Sequence, residues 1–143
     1  MKVAINRCAG GFNLSNKAIE AIMIRKGINF YRYNRTINSQ LGAHYEYVRF
    51  ILEEDRHSYE ETLVYTTSFL GDRLGNIPDD IRWDWESLSR TDEDLIAVIE
   101  EFGEKASGLM AALTVVEIPD NIRWEIYDED GVESIHELHR VWP

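Results

Sequence analysis

An apolar run, one segment of alternating apolar and charged residues and a return segment rich in aromatic residues follow one another in the last thirty residues, which predicts β-strands there. Residues 122–127 place apolar and charged side chains in turn, as in a strand with one buried face. Residues 128–131 follow and end in Asp-Gly, typical of a tight hairpin turn because glycine accepts a positive φ without steric cost. Residues 134–142 are rich in β-compatible and aromatic side chains. We predict a C-terminal β-hairpin, with the apolar run 113–116 as a third strand leading into it.

Apolar residues spaced three and four apart predict two principal helices. The first follows Ser15, a good N-cap, and runs to about Lys26, where Gly27 ends it. The second follows Thr91, which we interpret as its N-cap, and buries the apolar side chains of residues 95–102.

Further strands are predicted in the first half of the chain. Residues 2–7 read as a short strand, and residues 30–33 and 63–67 favour strands by composition. Residues 45–52 fit either a strand or a helix, and residues 71–78 are predicted to be loop. The fold class that follows is α+β, a mostly antiparallel sheet with two principal helices.

Composition and charge limit the function. A chain of 143 residues, 44% hydrophobic and 29% charged, is expected to form a single domain, 1–143. Its net charge of −11 argues against DNA or RNA as a partner, because phosphate backbones need a basic face. The single cysteine, Cys8, cannot form an intramolecular disulfide. With no signal peptide or long apolar run evident, we expect a soluble, cytoplasmic protein without membrane contact.

Residue types typical of catalysis or metal binding do not form a pattern in this sequence. His136 and His139 are three apart, so on a strand they would point to opposite faces and could not share one metal ion. With 26 acidic residues, no carboxylate pair is singled out for acid–base chemistry. We therefore expect no metal, no cofactor and no enzymatic activity.

Three arginines are candidates for holding an anion. Arg140 lies in an aromatic segment, Arg90 precedes a helix N-terminus, and Arg7 lies near Phe12, a ring that could stack on a base. A planar guanidinium can bind two phosphate oxygens at once. The alternative is that the arginines are solvated surface residues and that Phe12 belongs to the core.

Three blocks of the sequence resemble a family of small phage proteins. They are NRCAGGFNLS at 6–15, RTDEDLIAVIEE at 90–101, and the segment 115–142, which runs from VVEIPD through WEI to HRVW. Together they cover roughly half of the chain. The family is that of the Thoeris anti-defence proteins of the first type. These act as sponges that bind cyclic ADP-ribose isomers made by bacterial TIR-domain enzymes, and some also sequester cyclic oligonucleotides of CBASS signalling at a separate site.

The resemblance implies roles for basic and polar residues in a nucleotide pocket. Arg90 and Arg140 would hold the diphosphate, and His136 would supply a second basic group. Asp120 or Asn121 would make a polar contact.

The resemblance also raises the question of which side chain covers the adenine. An aromatic residue that stacks on adenine in the family aligns near Met110, whose thioether can cover a ring without the same stacking. Base recognition could instead fall to Trp124 or to another ring.

The family pocket lies between protomers, which implies a homodimer or a larger homo-oligomer such as a hexamer. The implied ligand is glycocyclic ADP-ribose or a related isomer, with cyclic trinucleotides as further candidates, in the cytoplasm of an infected bacterial host. Residues 30–88 lack a counterpart in the shorter relatives and could be a family-specific insertion. Two alternatives stay open: an enzyme that degrades cyclic nucleotides, and a protein-binding phage module.

Overall fold

The computed structural model describes residues 1–38, 44–49 and 63–139. The chain forms two compact units, one made of Met1–Ile22 with Leu88–Pro143 and the other of Met23–Ser87. The second unit is continuous in sequence and interrupts the first. Its bounds lie near those of segment 30–88. That this segment is a family-specific insertion stays a prediction, and so does the single domain expected for residues 1–143.

Besides two short 3-10 helices, Trp85–Ser87 and Gly103–Ala106, the described elements are two α-helices and eight strands. In chain order they are β1 (Lys2–Asn6), α1 (Asn16–Arg25), β2 (Tyr31–Asn38), β3 (His44–Arg49), β4 (Leu63–Thr66), β5 (Arg73–Leu74), α2 (Glu93–Phe102), β6 (Leu113–Glu117), β7 (Trp124–Glu129) and β8 (Val132–Glu137). All strand pairs between these elements are antiparallel, and the predicted α+β class is confirmed.

The strand predicted at 113–116 forms in the first unit as β6 and precedes the hairpin in the chain, and it pairs with β1 and not with the hairpin. The register sets Val3 opposite Val116, and α2 packs against both strands. The ladder with β1 ends just after β6, because Pro119 lacks the N–H that would extend it. Asn121, at φ 66°, then turns the chain before β7. The core of this unit consists of buried aliphatic side chains from β1, α1 and α2.

The hairpin itself forms as predicted, from β7 and β8. Asp130 (φ 52°) and Gly131 (φ 91°) both have positive φ, as a two-residue turn matching the strand twist requires. The Asp128 carboxylate accepts a hydrogen bond from the Gly131 N–H at 2.8 Å and closes the turn.

Hydrogen bonds at the first turns of α1 and α2 show which residues cap the two helices. The Ser15 hydroxyl accepts from the Ala18 N–H at 3.2 Å, which confirms Ser15 as the cap of α1. The prediction of Thr91 as the cap of α2 is wrong, because Asp92 accepts from the N–H groups two and three residues further on. The Thr91 hydroxyl instead shares a 2.8 Å hydrogen bond with Ser89. Neither helix, nor any other helix in the described ranges, is long and apolar enough to cross a membrane.

The second unit contains a four-stranded sheet in the order β4-β2-β3-β5. Tyr33, Val64 and Ile77 form its buried cluster. The described part of segment 45–52 is strand, and residues 50–52 lie outside the described residues. The loop predicted for 71–78 contains the two-residue strand β5, which is too short for alternation to reveal.

Candidate functional site

Three backbone segments of the first unit meet at the end of β1, where the side chain of Asn6 holds them together. Its amide nitrogen donates to the carbonyl oxygens of Cys8 (2.6 Å) and Gly131 (2.7 Å). Its amide oxygen accepts from the N–H groups of Ala112 (2.9 Å) and Cys8 (3.3 Å). Asn6 is fully buried, so these bonds satisfy a side chain that would otherwise be costly to remove from water. We call the region formed by residues 7–12, 108–112 and 130–131 the loop junction.

Glycine is required where these segments touch. A Cβ on Gly10 would lie 2.1 Å from the carbonyl oxygen of Met110, and one on Gly131 would lie 2.3 Å from that of Ala9. The close approach fixes the neighbouring turn, in which Met110 has φ 60°. The side chains of Leu109 and Met110 are 62% and 65% exposed, so the junction presents two apolar side chains to solvent.

Beside the junction, Arg90 forms a bidentate ion pair with Glu133. Nη1 and Nη2 of Arg90 donate to the two carboxylate oxygens at 2.7 and 2.9 Å. Glu133 is buried at the start of β8, where its Oε1 also accepts from the Asn6 N–H at 2.8 Å. Arg90 Nη1 makes a further hydrogen bond, to the carbonyl oxygen of Ala4 at 3.2 Å. The arginine predicted to hold a diphosphate therefore already has a carboxylate partner.

The Arg90 guanidinium still has hydrogen-bonding capacity. Its Cζ lies 3.7 Å from the centroid of the Phe12 ring, a cation–π contact that fixes the plane of the group. Arginine has five N–H donors, and the bonds to described residues use three of them. The donors left within the described part of the chain are Nε–H and one hydrogen on Nη2. These two lie on the same edge, in the fork geometry that suits two oxygens of one phosphate.

Four of the predicted ligand residues lie in or beside the junction. Arg7 begins it, with its N–H bonded to the Ala112 carbonyl oxygen at 2.8 Å and its side chain exposed. Phe12 and Met110 belong to it, and Arg90 stacks on Phe12. That these four bind a ligand stays a prediction.

Asp120 and Asn121 lie near the other end of the β1–β6 pair, beside Met1. The N-terminal amine donates to the Asp120 carboxylate at 2.8 Å. This hydrogen bond, together with the positive charge of the amine, lowers the pKa of Asp120 below its usual value. Because Lys2 pairs with Glu117 at this end and Asn6 with Leu113 at the other, the structure does not bring Asp120 and Asn121 to the junction.

Trp124 and His136 occupy opposite faces of the hairpin. His136 pairs across the ladder with Glu125, the residue next to Trp124, so the pleat separates the two rings. His136 stacks on Tyr127 with ring centroids 4.9 Å apart, and its Nε2 lies 2.9 Å from the Ser134 hydroxyl. Arg140, predicted to hold the diphosphate with Arg90, lies outside the described residues.

Sequence reasoning missed Asn6, Glu133 and Tyr127. Glu133 could have been found, because the period of two places it on the same face as Ile135, and an acid on a partly buried face needs a cationic partner. Tyr127 follows from the same alternation once the turn at Asp130 is fixed. The role of Asn6 depends on segments far apart in sequence and has no local signal.

Comparisons with known proteins found no matching family model, no matching curated protein and no matching solved structure. Within the described ranges, no group of three or more His, Cys, Asp or Glu side chains is arranged to hold a metal ion. The loop junction and the resemblance carried by the three sequence blocks are therefore the two features from which we infer a function.

Proposed function

We propose that this protein binds cyclic ADP-ribose-type signalling nucleotides, glycocyclic ADP-ribose among them, and sequesters them without degrading them. In an infected bacterial cell this would withhold the signal from the Thoeris effector. The observation that carries the proposal is the edge of Arg90, Nε–H and Nη2–H, left over after the bonds to Glu133 and Ala4.

The ion pair with Glu133 prepares Arg90 for this role. Two hydrogen bonds to a buried carboxylate and the Phe12 ring against the guanidinium face hold the group in one orientation. A ligand then meets a preorganised fork, which lowers the entropy lost on binding. Oxygens of a diphosphate fit this fork as acceptors of charge-assisted hydrogen bonds.

Glu133 also neutralises the charge of Arg90, so a net positive charge must come from elsewhere. Arg7 supplies it. Its exposed guanidinium makes no hydrogen bond or ion pair with the described residues, and its backbone is fixed at the start of the junction. In a chain of net charge −11, Arg7 therefore adds a positive charge beside the neutral Arg90–Glu133 pair.

The base would lie against the apolar side of the junction. Leu109 and Met110 are exposed on a turn whose backbone the contact with Gly10 fixes. A polarisable thioether can cover an adenine face. Under this proposal a homodimer or larger homo-oligomer would complete the pocket, and cyclic oligonucleotides of CBASS signalling would be second ligands.

The test is isothermal titration with glycocyclic ADP-ribose, followed by heat denaturation and mass spectrometry of the released ligand. We expect saturable binding and recovery of intact ligand. Arg7→Gln and Arg90→Lys should each weaken binding by about tenfold or more, since each removes charge-assisted hydrogen bonds worth about 1.5–3 kcal/mol.

Arg123→Gln is the matched control, because it removes the same charge from an exposed site near the other end of the hairpin. It should change the affinity less than about twofold. Thermal unfolding of each free variant separates lost binding from lost folding, and Arg7 is exposed enough to be replaced safely. Absence of binding, or equal losses in Arg7→Gln and Arg123→Gln, would refute the proposed site. Recovery of altered ligand would indicate an enzyme instead.

A second candidate function, a protein-binding module, is favoured by the exposure of Leu109 and Met110. Exposed apolar side chains on a fixed turn are typical anchors for a partner protein. Titration of the unaltered protein with glycocyclic ADP-ribose separates the two functions. A sponge binds the nucleotide, whereas a protein-binding module has no affinity for it.

A further inference from the structure

The second unit holds an arginine against two aromatic rings. Cζ of Arg49 lies 4.6 Å from the centroid of the Phe69 ring and 5.5 Å from that of Tyr31. The rings are themselves in contact, with centroids 5.7 Å apart and planes inclined by 46°. We call Tyr31, Arg49 and Phe69 the aromatic–arginine cluster.

The loop that carries Phe69 is fixed from the core. The hydroxyl of Tyr33, a fully buried residue, accepts from the Leu70 N–H at 3.3 Å and donates to the Gly71 carbonyl oxygen at 2.8 Å. At the end of the loop, the Arg49 N–H donates to the Asp72 carbonyl oxygen at 2.9 Å. Phe69 is nevertheless half exposed. The fold therefore holds an apolar ring in place at the surface, against a guanidinium, without burying it.

Among the described residues, no acceptor lies within hydrogen-bond distance of the Arg49 guanidinium. Its closest carboxylate there is Asp72, whose Oδ1 lies 3.8 Å from Nη1, too far for a hydrogen bond, and whose side chain is largely exposed. Arg73, on the neighbouring strand, shows the contrast with an ordinary pair at 3.0 Å to Glu46. The Arg49 side chain is only 27% exposed, and its guanidinium has no close acceptor in the described chain.

From this geometry we propose that the aromatic–arginine cluster is a second anion site, and that it binds the phosphate group of a small molecule. Both rings contact the guanidinium through cation–π interactions. Its N–H donors, for which the described residues supply no acceptor within hydrogen-bond distance, are left for two phosphate oxygens. Apolar rings beside the site exclude water and strengthen those hydrogen bonds. This proposal goes beyond the nucleotide sponge and does not depend on it.

The phosphate could be free or carried by an organic group, and two probes distinguish these sources. Inorganic pyrophosphate offers oxygens alone, whereas phenyl phosphate adds a ring that could stack on the exposed side of Phe69. Titration of the full-length protein is followed by NMR through the Nε–H signal of Arg49 and by calorimetry. We expect saturable binding of at least one probe. Tighter binding of phenyl phosphate, lost in Phe69→Ala, would assign the site to an organic phosphate, and equal binding would assign it to the free anion.

Variants of Arg49 test whether the paired N–H donors of its guanidinium are responsible for binding. Arg49→Gln should weaken binding by about tenfold or more, and Arg49→Lys should weaken it as well, because lysine keeps the charge and loses the bidentate geometry. Arg73→Gln is the matched control and should stay within about twofold. Arg90→Lys in the first unit should leave this binding unchanged, so the sponge proposal can fail while this one stands.

The proposal is overturned if neither probe shifts the Arg49 signal in a saturable way. It is equally overturned if Arg73→Gln loses as much affinity as Arg49→Gln, or if Arg49→Lys, shown by thermal unfolding to be folded, binds like the unaltered protein.

Discussion

In each unit, hydrogen bonds from one fully buried polar side chain hold surface loops in place. The two units differ in the number of chain segments that this side chain joins. In the first unit, Asn6 makes four side-chain hydrogen bonds and joins three segments that are far apart in the sequence. In the second, the Tyr33 hydroxyl makes two hydrogen bonds to a single loop. A buried amide that joins remote segments has no substitute, whereas a phenol at the rim of an apolar core leaves most of its packing intact when its oxygen is removed. We therefore expect removal of the two polar groups to lower the free energy of unfolding by unequal amounts.

The largest effect is expected for Asn6→Ala. The change leaves the carbonyl oxygens of Cys8 and Gly131 and the N–H of Ala112 without their partner in a buried site, and should lower the free energy of unfolding by about 3 kcal/mol or more. Urea denaturation measures it. Asn29→Ala, at an exposed asparagine, is the control and should change stability by less than about 0.5 kcal/mol.

Next in size is Glu133→Ala, which leaves the partly buried charge of Arg90 without its carboxylate and the Asn6 N–H without an acceptor. We expect a loss of about 2–4 kcal/mol, below the full cost of a buried pair because Arg90 is partly exposed. Asp72→Ala in the second unit should change stability by less than about 0.5 kcal/mol, since that carboxylate is exposed and 3.8 Å from its arginine. Similar losses in the two variants would break the contrast between the units.

Tyr33→Phe should cost about 1 kcal/mol, the net value of the lost hydrogen bonds, because the ring and its packing remain. The local consequence is faster hydrogen exchange at the Leu70 N–H. If Tyr33→Phe destabilised the protein as much as Asn6→Ala, the number of segments joined would not be what sets the cost.

The smallest effect concerns the exposed pair of Asp120 and the N-terminal amine. Because the pKa of Asp120 is lowered in the folded state from its ordinary value of 3.8, the pair stabilises the fold above that value. The contribution is lost as the pH falls through the lowered pKa. The urea midpoints of the unaltered protein and Asp120→Asn should therefore differ slightly at pH 7 and converge in strong acid. A gap that persists in strong acid would assign the effect to something other than this charge.

The parts of the fold that could be predicted from the sequence are those with local causes. Both helices and the hairpin turn follow from apolar spacing, from Ser15 and from the Asp130–Gly131 pair. The pairing of β1 with β6 could not be predicted, because no local pattern distinguishes one distant strand from another. Thr91 and Asp92 are both good caps, and only the backbone geometry selects Asp92.

In the candidate site, too, residues that are close in sequence could be predicted to lie together, and contacts between distant residues could not. Arg7 and Phe12 are close in sequence, so their shared location at the junction was foreseeable. The contact of Arg90 with Phe12 and the pairing of Arg90 with Glu133 bring together distant residues and required the structure. Asp120 was implied by the family resemblance and Trp124 was the alternative ring for the base, and the first unit places neither of them at the junction.

The division of the chain also has a consequence for synthesis on the ribosome. The second unit is one continuous segment, Met23–Ser87, so it can fold as soon as that segment has emerged. The first unit cannot, because the Met1 amine bonds to the carbonyl oxygen of Ile118, 117 residues later. At roughly 5–20 residues per second, β1 waits on the order of ten seconds for its partner strand. During that interval the apolar strand Lys2–Asn6 lacks β6, and any factor that shields it acts before the loop junction exists.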